Sequence, residues 1–143
     1  MKAFFLILFL TSSTLLTGQT VDSVLIYFLP WKFNIEGEIT DELVRNYPGY
    51  SKKLRIVEQD KINGLLISLS ILNLRSQESS KHTFTARMII DFYSHDKRKS
   101  TDYQVLVRTV RLDSRQNLSF NGMYYYKNFA LDEWLQTHVF NRN

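Results

Sequence analysis

The chain contains no cysteine, and it has only five glycines and two prolines among 143 residues. Without a thiol it cannot supply a cysteine nucleophile, a thiolate zinc site or an iron–sulfur ligand. It also cannot form a disulfide, so the fold must be stabilised by buried apolar surface, which a chain of this length can provide. These absences exclude several common classes of active site.

The glycines and histidines are too scattered for the usual binding motifs. The glycines stand at positions 18, 37, 49, 64 and 122, which builds neither a phosphate-binding loop nor a dinucleotide fingerprint, and no serine lies in a nucleophile elbow. The three histidines, His82, His95 and His138, lack the i, i+3 or i+4 spacing of a helical metal pair. The sequence therefore predicts no catalytic residue of a common type, no metal site and no cofactor.

The first nineteen residues have the pattern of an export signal. Lys2 precedes an apolar run, and threonines and serines interrupt that run before it reaches the ~20 residues that a spanning helix needs. The end of the segment resembles the lipobox of bacterial lipoproteins, but Gln19 stands where such a box requires cysteine. We predict a signal peptide over 1–19, a mature domain over 20–143, a periplasmic or secreted location and no stable membrane anchor.

The composition is that of one globular domain. Hydrophobic residues make up 44% of the chain and aromatic residues 14%, which is well outside the disordered class. The formal net charge is only +4, and the basic residues that cluster late in the chain are typical of solvated strand ends and loop tips. Together with the export signal, this mild charge predicts no nucleic-acid partner.

Period-two alternation and turn residues indicate an antiparallel sheet. Pro30 ends an apolar run that begins at Ser23, and Asn121-Gly122 between two strand-like runs favours a type I′ hairpin turn. The run from Ala86 alternates clearly and should pair with the long strand that follows it. The predicted strands are 23–29, 53–57, 86–93, 102–112, 118–120 and 123–126, with a further extended segment over 31–39 and a polar loop over 76–81.

Helical spacing indicates two helices that pack on this sheet, besides a short one over 41–46. The first spans 60–74 and the second 131–140, each with apolar residues at i, i+3 and i+4 spacing. The predicted fold is α+β: an antiparallel sheet of about five or six strands with two packed helices in a single domain.

A second apolar stripe on the first predicted helix is a candidate binding surface. Ile67, Ile71 and Leu74 are spaced i, i+4 and i+7, well around the helix from the residues that would face the sheet. Such a stripe is covered either by loops of the same chain or by something else. In the second case, it would contact a protein partner or a second copy in a homodimer.

The tyrosines at 124–126 form another candidate. Strand geometry places Tyr124 and Tyr126 on one face, where they and Trp31 would form a stacking platform for a sugar, a peptide or a base if that face is exposed. If the face is covered, these side chains belong to the core.

Among the functions that remain, an exported non-enzymatic binding or interaction domain fits best. One alternative is a small periplasmic or secreted hydrolase with an unrecognised site, for which Asp91 and Asp102 would face one another across the hairpin. Asp91 shares its strand face with Arg87 and Tyr93, so a cross-strand ion pair explains it as well. The other is an inhibitor or immunity-type protein, which differs only in having a protein ligand.

Overall fold

The computed structural model describes residues 20–96 and 103–140. Its strands are β1 (Ser23–Phe28), β2 (Lys52–Ile56), β3 (Ala86–His95), β4 (Gln104–Asp113), β5 (Leu118–Phe120) and β6 (Met123–Tyr125). They form one six-stranded sheet in the order β2-β1-β3-β4-β5-β6, and every neighbouring pair is antiparallel. The predicted α+β class and strand number are confirmed. The predicted signal peptide over 1–19 lies outside the described residues.

Four α-helices accompany the sheet. They are α1 (Asp41–Asn46), α2 (Gln59–Ser68), α3 (Gln77–Thr83) and α4 (Phe129–Leu135), and α4 continues into a π-helical turn (Gln136–Phe140). Thr40 caps α1 by accepting a hydrogen bond from the Leu43 amide, and Asn128 caps α4 by accepting from the amides of Ala130 and Leu131. The side chains of these caps explain why both helices begin where they do.

The helix predicted over 60–74 ends at Ser68, and this part of the prediction is wrong. Residues 73–75 run beside β6 instead: the Arg75 amide donates to the Tyr124 carbonyl at 2.9 Å, and the Tyr126 amide donates to the Asn73 carbonyl at 2.8 Å. Leu74 also forms an isolated bridge with Tyr125. The backbone N–H and C=O groups at the free edge of β6 need hydrogen-bond partners, and an extended chain beside the strand supplies them.

Two other segments differ from the sequence prediction. Residues 31–39 form no strand, because the chain turns after Pro30, with the Phe33 amide donating to the Pro30 carbonyl at 3.0 Å. The segment predicted as a polar loop over 76–81 lies mostly within α3. The side chain of Gln77 binds the backbone of Tyr124, which ties this short helix to β6.

The two predicted hairpins are confirmed. Asn121 and Gly122 have φ angles of 50° and 74°, as a type I′ turn requires, and they join β5 to β6. β3 and β4 pair along most of their length, with a register shift between Phe92 and Tyr93. The loop that joins them, residues 97–102, lies outside the described residues.

The sheet is covered on both faces, so the domain has three layers. The face that we call the inner face packs against α2 and α4 and contains the fully buried Ile26, Ile90 and Phe92. The opposite, outer face packs against α1 and the chain around it, through Val44 and Ile89. The alternation of side chains along each strand supplies apolar residues to both layers.

Close contact between α2 and α4 depends on Gly64. A Cβ atom at this position would lie 3.3 Å from the Nε1 atom of Trp134, which is tighter than an ordinary contact. The indole N–H donates to the Lys61 carbonyl at 3.1 Å. The absence of a side chain at Gly64 therefore lets the two helices share this hydrogen bond.

Charged side chains hold α1 to the outer face. Asp91, which is 2% exposed, accepts hydrogen bonds from Arg45 at 3.0 and 3.1 Å and from the Thr109 hydroxyl at 2.7 Å. Asp41 forms a similar pair with Arg111 on β4. The ion pair of Asp91 is therefore formed with Arg45 on α1 and not with a cation across the strands, because α1 packs directly over Asp91.

Candidate functional site

Arg108 interrupts the apolar inner face of β4. Leu112 and Val110 are buried on this face, and alternation along the strand places Arg108 next in the same row. A charged residue at such a position is unusual, because the neighbouring strands present apolar side chains to α2.

A cavity of about 290 Å³ lies at this point, between the C-terminal end of α2 and strands β4 to β6. This volume is close to the lower limit of about 300 Å³ that is usual for small-molecule sites. Apart from Arg108 and Ser70, the lining is apolar or aromatic, and it consists of Leu66, Leu69, Leu72, Val110, Leu118, Phe120 and Tyr125.

The guanidinium of Arg108 lies over an aromatic ring. Its Cζ atom lies 4.7 Å from the centroid of the Phe120 ring. Among the described residues no carboxylate forms a salt bridge with it, and burial lowers the pKa of Arg108. The opposite holds for Arg45 and Arg111, whose pKa values are raised by hydrogen bonds to Asp91 and Asp41. Arg108 thus combines partial desolvation with a positive charge that no carboxylate in the described part of the chain pairs with.

The predicted apolar stripe is exposed, but it is not a helical stripe. Ile67 lies on α2, whereas Ile71 and Leu74 follow the end of this helix, and the exposed fractions of the three residues are 71%, 75% and 56%. The chain beside them adds Tyr126 and Phe129, which are 53% and 82% exposed. Hydrogen bonds from Asn128 to the carbonyls of Ser68 and Ile71 hold the two segments together. We call these five apolar side chains the exposed patch.

The tyrosines and Trp31 do not form one platform. Trp31 follows β1 and packs against Phe140, with ring centroids 6.0 Å apart, whereas the tyrosines lie at the far edge of the sheet on β6 and just beyond it. Tyr124 is half-buried and its ring lies 5.4 Å from that of Phe84. Tyr126 is exposed beneath the guanidinium of Arg75, at 5.2 Å. Tyr125 points to the other face and joins the inner core.

The structure describes one of the two carboxylates of the hydrolase alternative. Asp91 is buried and fully engaged by Arg45 and Thr109, and Asp102 lies outside the described residues. Within residues 20–96 and 103–140, no three histidine, aspartate or glutamate side chains come close enough to hold a metal ion. In the same ranges, no helix is both long and apolar enough to cross a bilayer.

The cavity was not predicted from the sequence, although the sequence contains one signal for it. The alternating residues Leu106, Arg108, Val110 and Leu112 place a single cation in an apolar row. The cavity itself depends on α2 ending at Ser68, and no local pattern predicted that end.

Comparisons of the chain with models of protein families, with curated proteins and with solved structures find no match.

Proposed function

We propose that this chain is an exported, non-enzymatic binding domain whose ligand is a small molecule with an apolar body and one anionic group. The single observation that carries the proposal is the guanidinium of Arg108 in an apolar cavity, without a carboxylate partner among the described residues. The export signal predicted over residues 1–19 supports a location in the periplasm or outside the cell.

A ligand of this kind would contact both the apolar lining of the cavity and the guanidinium of Arg108. Its apolar body would remove leucine and aromatic surface from water, which is favourable in proportion to the area buried. Its anionic group would accept charge-assisted hydrogen bonds from Arg108, which are about twice as strong as neutral ones. A carboxylate suits the planar guanidinium especially well, because two parallel N–H donors can reach its two oxygens.

Octanoate is a suitable probe, because it is ionised at pH 7 and joins a short apolar chain to one carboxylate. We expect saturable binding with one site per chain by isothermal titration calorimetry. Octan-1-ol, which lacks the charge, should bind about tenfold or more weakly, since a hydrogen bond to a charged group contributes roughly 1.5–3 kcal/mol. Acetate, which lacks the chain, should give no measurable heat.

Equal affinity for octanoate and octan-1-ol would show that Arg108 does not select the ligand, and would contradict the anionic part of the proposal. No binding of either compound would contradict the use of this cavity as a ligand site.

A second candidate function, association with a protein partner or a second copy of the chain, is favoured by the exposed patch. Monomeric proteins rarely expose large contiguous apolar surface. Two cations lie on its aromatic residues, because Arg75 stacks on Tyr126 and Lys127 lies 5.9 Å from the Phe129 ring. The patch therefore combines apolar and basic groups, as many partner surfaces do.

Self-association through the exposed patch is testable by sedimentation velocity at micromolar concentration. The homodimer version predicts a concentration-dependent dimer that Ile71→Glu reduces, because a buried unpaired carboxylate is costly at an apolar interface. The matched control is Val57→Glu, which introduces the same carboxylate at an exposed position away from the patch and should leave the dimer unchanged. A monomer at all concentrations would eliminate the homodimer.

A further inference from the structure

We propose a second ligand site, on the outer face of the sheet, that binds a phosphate or sulfate group. A cavity of about 340 Å³ lies beside the turn from β4 to β5, and three arginines, Arg75, Arg87 and Arg115, line it. This inference goes beyond the proposed function, because Arg108 and the apolar cavity lie on the inner face and share no lining residue with it.

Three different parts of the chain bring these arginines together. Arg87 belongs to β3, and its Nη1 atom donates to the Phe33 carbonyl at 2.6 Å. Arg75 is held against β6 by its backbone amide, and its guanidinium stacks on Tyr126. Arg115 lies in the turn after β4, where its amide donates to Asp113 at 2.8 Å. The convergence of the three residues is thus a product of the fold and not of their spacing in the chain.

The lining contains one carboxylate, and that carboxylate is used by the turn itself. Asp113 is 7% exposed, and its Oδ1 atom accepts from the amides of Arg115 and Asn117 at 2.8 and 2.9 Å. Its Oδ2 atom accepts from the Asn117 side chain at 3.0 Å. Within the described part of the chain, none of the three arginines forms a salt bridge. The cavity therefore carries an excess of positive charge.

The donors around this cavity suit a tetrahedral oxyanion. Guanidinium groups bind phosphate and sulfate oxygens through paired N–H donors, and an anion would offset the mutual repulsion of the three charges. Thr85 lines the same space and adds a hydroxyl donor, whereas the Thr83 hydroxyl already donates to the Ser79 carbonyl at 3.2 Å. Phosphate and sulfate are both tetrahedral but differ in charge, so an experiment can distinguish which of the two groups the site prefers.

Inorganic phosphate and inorganic sulfate should each be titrated into the purified protein at constant ionic strength, with chloride as the balancing anion. Amide chemical shifts would report the site. We expect saturable chemical-shift changes in residues 83–87 and 113–117. The anion that binds with the higher affinity identifies the group that the site prefers. Arg115→Gln and Arg75→Gln should each weaken binding by about tenfold, the smallest effect expected for losing a hydrogen bond to a charged group.

Arg55→Gln is the matched control, because Arg55 is exposed on β2 at the opposite edge of the sheet. It should bind both anions like the parent. Arg115 is exposed in a turn, so its variant tests the site even if Arg75→Gln proves unstable. The proposal is overturned if neither anion produces shifts beyond those of chloride, or if Arg115→Gln and Arg55→Gln have equal effects.

Discussion

Replacing Arg108 by methionine is expected to lower the affinity for octanoate by about tenfold to a hundredfold, which corresponds to the loss of a charged hydrogen bond. The same change should leave the free energy of unfolding unchanged or slightly increased. Methionine has a similar length and no charge, and replacing a desolvated charge by a well-packed apolar side chain is often neutral or stabilising. Calorimetry measures the affinity, and urea unfolding measures the stability.

Two further variants make this prediction specific. Arg108→Lys keeps the charge but loses the paired N–H donors, so its affinity should lie between those of the parent and Arg108→Met. Arg55→Met removes a cation from exposed β2 and should bind octanoate like the parent. If Arg108→Met bound octanoate as tightly as the parent, the role assigned to this guanidinium would be wrong. A large loss of stability would instead indicate that Arg108 supports the fold.

Replacing Asp91 by alanine is expected to lower the free energy of unfolding by about 3 kcal/mol, the lower end of the range measured for broken buried ion pairs. Asp91 is 2% exposed and accepts three hydrogen bonds, whereas the Arg45 side chain is 26% exposed. Water can reach Arg45 after the change, which limits the loss. The transition in urea, followed by circular dichroism, measures the effect.

The exposed Glu36 supplies the control for Asp91, because Glu36→Ala removes one carboxylate at little structural cost and should change the stability by less than about 0.5 kcal/mol. The double variant Arg45→Met/Asp91→Leu should recover part of the loss, since it leaves no unpaired charge. If Asp91→Ala were as stable as Glu36→Ala, the ion pair would not be what holds α1 to the sheet.

Much of the fold was predictable because the relevant signals are local. The alternation from Ala86 and the Asn121-Gly122 turn specify strands and a hairpin through the geometry of a few neighbouring residues. The bounds of α1 also agree with its cap at Thr40 and its stop before Pro48. In each case, side chains close in sequence determine the backbone conformation.

The end of α2 was not predictable for the opposite reason. Ile67, Ile71 and Leu74 have helical spacing, and nothing nearby in the sequence breaks the helix at Ser68. The chain becomes extended there because the backbone of β6, about fifty residues later, requires hydrogen-bond partners. The same requirement places part of the exposed patch in an extended segment and opens the cavity beside Arg108.

By itself, the sequence determined the α+β class, the strand-forming segments and the absence of thiol chemistry, since these follow from composition and from patterns within a few residues. It also predicts the export signal. Only the tertiary structure decided that Asp91 pairs with Arg45, that Arg108 lies in an apolar cavity without an acidic partner among the described residues, and that three distant arginines line one space. These arrangements depend on contacts between residues far apart in the chain, and such contacts form only when the sheet and helices pack together.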